Sequence, residues 1–377
     1  MKLSLPNSAG KIVSYKLIGE PLAVRKPQRP FNRIAFAAAH VVADPIRENA
    51  IDWKGTVAYR RHLLNLGFGI AEAMDTSQRG MGLDWPNALE LVRRSLGDAG
   101  VENASRIYSG CGTDHLSEAQ SLDDVIKAYL EQLHAIQKLG GRVILMASRA
   151  LVRVARNAND YKKVYSRVLQ EADHPVILHW LGPMFDSALQ GYWGSDEFAP
   201  AMETCLEVVA AHTSKVDGIK ISLLDIEKEI LMRQRLPASV KMYTGDDYNY
   251  AELIAGDDSG YSHALLGIFD AIAPAASLAL TALADGKLEK FHALLAPTVP
   301  LSRLIFKSPT QYYKTGIVFL AWLNGYQDHF VMVNGAQSAR SISHFADVFR
   351  LADQAGLLRK PDLACQRMKH LLAMNGV

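Results

Sequence analysis

Val216-Asp217-Gly218-Ile219-Lys220-Ile221-Ser222-Leu223 decides how this 377-residue chain is read. The run is short, largely apolar and flanked by helical pattern on both sides, so it predicts a buried strand of a parallel sheet. An ammonium near the end of such a strand must be paired, or it must be used. In a low-dielectric pocket the pKa of an amine falls, and the free amine becomes a nucleophile able to condense with a carbonyl carbon. Lys220 is therefore a Schiff-base candidate, against the plainer reading of a structural lysine paired with Asp217 or Asp246.

Similar short apolar runs recur along the chain: 34–39, 69–73, 106–109, 142–146, 176–179, 218–221, 240–243 and 260–263. Between most of them lies room for a helix and two turns, the last two gaps being shorter, and such alternation implies parallel strands. The clearest helix carries Leu122, Val125, Ile126, Tyr129, Leu130, Leu133, Ile136 and Leu139 and stops at Gly140-Gly141. Another starts at Asp84, a plausible N-cap, with Trp85, Leu89, Val92 and Leu96 on one face. Eight strand-helix units with no GxGxxG after the first strand favour a closed α/β cylinder, a (β/α)8 TIM barrel, over a doubly wound dinucleotide fold. The expected domains are a short N-terminal hairpin at 1–30, the barrel at 31–274 and a C-terminal helical extension at 275–377.

Composition narrows the function. Half of the residues are hydrophobic and the net charge is +2 with both signs interspersed, which gives no electrostatic footprint for nucleic acid or an anionic membrane. The N-terminus lacks a sustained apolar segment, and the richest apolar stretch, 264–284, is interrupted by Asp270 and Pro274, so a cytoplasmic protein is expected. Cys111, Cys205 and Cys365 are far apart and show no CxxC spacing, which argues against a disulfide framework and a zinc cluster.

In a TIM barrel the chemistry sits at the C-terminal ends of the strands. The residues following the apolar runs are polar: His40 and Asp44; Glu72, Asp75, Thr76 and Ser77; Thr113, Asp114 and His115; Ser148 and Arg149; His179; Lys220 and Ser222; Thr244, Asp246 and Asp247; Ser262 and His263.

At these positions the chain resembles the dihydrodipicolinate synthase and N-acetylneuraminate lyase family, class I aldolase-like barrels with a C-terminal helical extension. Gly218-Ile219-Lys220-Ile221-Ser222 resembles the family's lysine motif G-x-K-[DE]-[ST], with Ile221 at the usual acidic position. Pro175-Val176-Ile177-Leu178-His179-Trp180-Leu181-Gly182-Pro183 resembles the fifth-strand motif P-[IV]-[IL]-[IL]-Y-N-x-P, with His179 in place of tyrosine. Tyr243-Thr244-Gly245-Asp246-Asp247 resembles the seventh-strand S-G-D-D, whereas Met74-Asp75-Thr76-Ser77-Gln78 matches the carboxylate-binding G-T-T-G-E loop poorly. The likeness covers about residues 31 to 350 in element order and points to a divergent branch of unknown function.

The resemblance implies an imine at Lys220, with His179 as the proton relay. It also implies a homo-oligomer, a dimer or tetramer, and no cofactor. An imidazole can take and return a proton near neutral pH. Asp75, Thr76, Ser77, Asp246, Asp247, His263 and His40 are the expected substrate-binding residues. A carboxylate at 75 would repel an anionic substrate and accept hydrogen bonds from hydroxyls, which points to a polyol or sugar-derived carbonyl compound. The leading expectation is thus an aldolase-like lyase or dehydratase acting on a small polar carbonyl compound. Two alternatives stand beside it: a metal-dependent isomerase, epimerase or hydrolase of a sugar derivative with His40, His179, His263 and Glu72 as ligands, and a non-catalytic small-molecule binder.

Overall fold

The computed structural model describes residues 2–7 and 9–377, and the first seven barrel strands follow their apolar runs closely, whereas the eighth begins at His263, where the run 260–263 ends. β1 (Lys2–Pro6) and β2 (Ile12–Lys16) form an antiparallel hairpin. The other strands are β3 (Ala35–Ala38), β4 (Gly69–Glu72), β5 (Ile107–Cys111), β6 (Arg142–Leu145), β7 (Val176–Leu181), β8 (Val216–Ser222), β9 (Lys241–Thr244) and β10 (His263–Leu266). Among the described residues, β3 to β10 pair in parallel and close on themselves in the order β10-β3-β4-β5-β6-β7-β8-β9. This is the expected TIM barrel, with its hairpin and its C-terminal helices.

Strand alternation assigns the two faces. Phe36, Ala38, Ala71, Tyr108, Ile144, Ile177, Tyr243 and Leu265 form one buried cluster with Met74 and Met146. They come from every second position of their strands, as the packed interior of a barrel requires. Tyr108, Phe36 and Tyr243 meet edge-on or tilted, with centroids 5.0 and 5.9 Å apart. Gly218 makes room for this aromatic layer, since a Cβ there would lie 2.5 Å from the Lys241 carbonyl oxygen and 2.5 Å from the Tyr243 ring.

The helix Leu122–Lys138 shows why the outer layer forms where it does. Ser121 caps it by accepting from the Asp124 amide at 3.2 Å, Asp123 and Asp124 sit in the first turn and Lys138 in the last, as the helix dipole favours. Val125, Ile126, Tyr129, Leu133 and Ile136 are buried, and the Tyr129 hydroxyl donates to the Met146 carbonyl at 2.6 Å. The helix Trp85–Ala104 begins after Asp84, which caps it as expected; its buried stripe includes Ala88 and Leu91, and Leu89 is only half-buried.

Two compact units emerge. The barrel unit is Arg33–Ala39 with Gly69–Leu266; the helical unit comprises the chain up to Asn32, His40–Phe68 and Gly267–Val377. Within the helical unit the hairpin is tied to the helix Ile342–Gln354. Arg350 donates to the Leu5 and Pro6 carbonyls, and Asp353 accepts from the Tyr15 hydroxyl at 2.7 Å and from the Ile18 amide at 2.8 Å. The described contacts of the hairpin thus give it a helix to pack on. All three cysteines are free and buried, and among the described residues no helix is long and apolar enough to cross a membrane.

Replacing Gly218 by alanine should lower stability by about 1–3 kcal/mol, because the clash is with backbone and a packed ring that have nowhere to go. Denaturant midpoints measure this, and an unchanged midpoint would show that the layer is looser than described.

Candidate active site

Lys220 and His179 are direct neighbours across β8 and β7, paired in the parallel register. His179 lies two residues after Ile177 and Lys220 two after Gly218, so both side chains share the interior face. Lys220 is 7% exposed, and among the described residues its Nζ makes no hydrogen bond and no ion pair. Its pKa is lowered from the ordinary lysine value by burial, against the opposing charges of Asp247 and Asp75. Both partners of the structural reading are engaged elsewhere. Asp217 accepts from the Tyr243 hydroxyl at 2.6 Å and from Lys241 Nζ at 2.7 Å; Asp246 accepts from the Tyr248 and Asn249 amides at 2.8 and 3.0 Å.

His179 Nε2 faces the Ser222 hydroxyl at 3.2 Å, and its buried Nδ1 has no hydrogen-bond partner among the described residues. Burial, and then the charge of Lys220, push the imidazole well below its ordinary pKa, so it is neutral across the physiological range. In this setting the imidazole is a resting base, whereas its sequence position alone implies a group that titrates near neutrality. Gly245 keeps the lysine arm in place: a Cβ there would meet the Ser222 hydroxyl and come within 2.8 Å of Lys220 Cε.

A cavity of about 320 Å³ opens beside His179, and Asp75, Arg79, Thr113, Asp114, Ser117, Arg149, Arg153 and Asp186 are among its walls. His179 rather than Lys220 forms the wall on this side. Arg79 is the main residue that sequence reasoning missed. It is buried, donates to both Asp114 oxygens, and also reaches the Ala73 and Gly110 carbonyls at 3.2 and 3.1 Å and Gln132 Oε1 at 3.0 Å. Burial pushes the Asp114 carboxyl up, but Arg79 and Gln132 outweigh it and hold the pKa below the ordinary value. One wall is therefore a fixed, neutralised ion pair. Arg149 pairs with Asp186 at 2.5 Å, whereas Arg153 is exposed and has no partner among the described residues.

Other expected site residues lie elsewhere. His263 opens β10 instead of closing it, so it sits on the barrel floor, where its Nδ1 accepts from the Ile34 amide at 3.0 Å and burial pushes its pKa down to about 4. His40 belongs to the helical unit and is spent on Asp270, which it contacts through its backbone amide and Nδ1, and on Gln327. Ser77 donates to the Ala39 carbonyl at 2.6 Å, and Thr76 is buried in the same short turn. Asp246 caps the turn after β9. Glu72 points to the opposite face from Ala71 and accepts from Ser95 at 2.6 Å in the helix layer. The alternative metal set of His40, His179, His263 and Glu72 is thus dispersed over a floor, a helix layer and two units. Among the described residues no group of three or more His, Cys, Asp or Glu could hold a metal ion. Of the expected substrate residues, Asp75 reaches the cavity, and the charges of Asp75 and Asp247 bear on Lys220.

This cylinder with its helical extension is the dihydrodipicolinate synthase fold. The chain is similar to dihydrodipicolinate synthase from Aquifex aeolicus (13% identity, TM-score 0.66, 87% of this chain and 99% of that one). It is also similar to a prophage protein of the dihydrodipicolinic acid synthase family from E. coli K12 in complex with pyruvate (14%, 0.68, 86% and 99%). Dihydrodipicolinate synthase from Thermotoga maritima is comparable (15%, 0.66, 88% and 100%). No curated protein matches the sequence. The chain belongs to the family described as "Protein of unknown function (DUF993)", whose model matches residues 3–377.

Behind the site, Glu229 is fully buried on the helix Ile226–Arg235 and accepts from the Ser262 hydroxyl at 2.7 Å. Burial lifts its carboxyl to about 8 from an ordinary 4.5, so the folded protein keeps a proton that the unfolded chain releases at lower pH. Stability from this group is therefore complete below about pH 4.5 and drains away as the pH rises toward about 8. Glu229→Gln, uncharged throughout, should flatten the fall in Tm across that window; parallel Tm profiles for the two proteins would contradict the assignment.

Proposed function

We propose that the protein is an aldolase-like lyase that forms an imine between Lys220 and a small carbonyl compound. One observation carries the reading: a buried amine with no hydrogen bond or ion pair among the described residues, its pKa lowered by burial, beside a neutral imidazole with a free nitrogen. The fold shared with dihydrodipicolinate synthases agrees with it, and pyruvate bound to the E. coli K12 protein makes a carbonyl ligand a reasonable first probe.

The neutral Lys220 amine adds to the carbonyl carbon, and the resulting carbinolamine loses water once its hydroxyl is protonated, leaving a cationic imine. That cation accepts the electron pair of the neighbouring carbon–carbon bond as it breaks, or of a carbon–hydrogen bond when a hydroxyl leaves instead. His179 takes the proton released in the step and returns it to the enamine carbon, with the Ser222 hydroxyl holding its other nitrogen. Water then hydrolyses the imine and frees the amine. Asp75, Thr113 and Ser117 offer acceptors and hydroxyls to the ligand, and the carboxylate of Asp75 disfavours the acid group of a 2-keto acid. A hydroxylated aldehyde or ketone therefore suits the cavity better than pyruvate.

Incubation with dihydroxyacetone, glyceraldehyde or pyruvate followed by borohydride reduction should give a covalent adduct on Lys220, seen by mass spectrometry and absent in Lys220→Met. His179→Asn should slow adduct formation by about 10²–10⁴-fold. No adduct with any of the carbonyl compounds, or equal labelling of Lys220→Met, would sink the imine and leave a binding protein.

A further inference from the structure

A second cavity, also of about 320 Å³, lies wholly within the helical unit. Leu22, Val24, Leu66 and Leu357 give it apolar walls. The segment carrying Leu22 is pinned where it stands: the Ile18 and Gly19 amides donate to Asp353, and the Leu22 amide donates to the Gly356 carbonyl at 3.0 Å. Gly356 has a φ of +67°, and a Cβ there would lie 2.6 Å from the Glu20 carbonyl oxygen, so the turn closing the cavity is specific to glycine.

The charge around this cavity is one-sided. Arg25, Lys26 and Arg359 line it, and no carboxylate does. Arg25 and Lys26 are exposed and make no hydrogen bond or ion pair among the described residues. Arg359 stands over the Tyr326 ring at 4.7 Å and donates to the Asn324 carbonyl at 3.0 Å, without an acidic partner among the described residues. The His62 ring lies tilted against Tyr326 with centroids 4.5 Å apart, and its buried Nε2 has no hydrogen-bond partner among the described residues. An apolar chamber of this volume with convergent cations and one unmet ring nitrogen has the makings of a ligand site. With no carboxylate among the lining residues, the like-charged side chains repel one another until an anion joins them.

We infer that this cavity binds a small organic anion with an apolar body, a carboxylate of about six carbons, with its charge held by Arg25, Lys26 and Arg359 and its tail laid against Leu22, Val24, Leu66 and Leu357. The carboxylate oxygens take the cationic donors, and His62 supplies a polar contact inside the chamber. Lys220 is not among the lining residues, so occupancy does not require imine chemistry.

Calorimetric or NMR titration of the full chain with hexanoate, and with hexanol as the uncharged comparison, tests this. Hexanoate should bind saturably in the millimolar range or better and at least about tenfold more tightly than hexanol, the margin expected of a charge-assisted contact. The exposed pair Arg25→Gln/Lys26→Gln should weaken hexanoate by about tenfold and leave hexanol unchanged. Arg359→Met should do the same, and if that variant does not fold, the exposed pair decides. Lys220→Met should bind hexanoate like the native protein. Equal affinity for the two probes, no saturable binding of either, or indifference to the Arg25/Lys26 replacement would overturn the assignment.

Discussion

Burying an ammonium without a partner is the constraint on which the site depends. A charged amine withdrawn from water is costly, and a protein normally meets the cost by pairing it or by letting it lose its proton. Here Asp217 and Asp246, the two carboxylates that could have paired with it, are taken up by Tyr243, Lys241 and the amides of a turn. Asp75 and Asp247 act on Lys220 only as charges, so desolvation prevails and the pKa falls. The same desolvation reaches His179, and the charge of Lys220 lowers its pKa further. An amine with a lowered pKa beside an imidazole with a lowered pKa, one on each of two adjacent strands, is the outcome.

The surroundings keep that arrangement rigid. Gly245 lets the turn after β9 close down on Lys220 Cε, and Ser222 both fills that corner and holds His179. On the far side of the cavity Arg79 fastens the loop after β4 to Asp114, Gln132 and the ends of two strands, so the wall is a neutralised ion pair instead of a free charge. Buried pairs of this kind specify geometry more than they add stability. A ligand in the cavity therefore meets a fixed polar wall, a carboxylate at Asp75 and, at the edge, the guanidinium of Arg153.

The barrel was legible because each buried strand is a short apolar run between helices, and Lys220 and His179 because a polar residue in such a run stands out. The period of two also separates Glu72 from the interior, since Ala71 already occupies it; treating Glu72 simply as a strand end loses that information. The apolar run at 260–263 falls three residues short of β10 because Ala264-Leu265-Leu266 merges with the apolar helices that follow, and a buried strand and a buried helix look alike by composition. That shift carried His263 from the floor to the mouth. His40 directly follows the run of β3, yet Asp270, far away in sequence, draws it into the helical unit. Arg79 had no signal of its own, because it reaches the site through the path of a loop and not through a strand register.

The most direct measurement is the titration of Lys220 itself, by NMR of protein labelled at the lysine Cε carbons and assigned against Lys220→Met. A pKa clearly below the ordinary lysine value of 10.5 is the expected result. A value at or above 10.5 would mean that the amine is paired and charged, and no neutral nucleophile would stand at the end of β8.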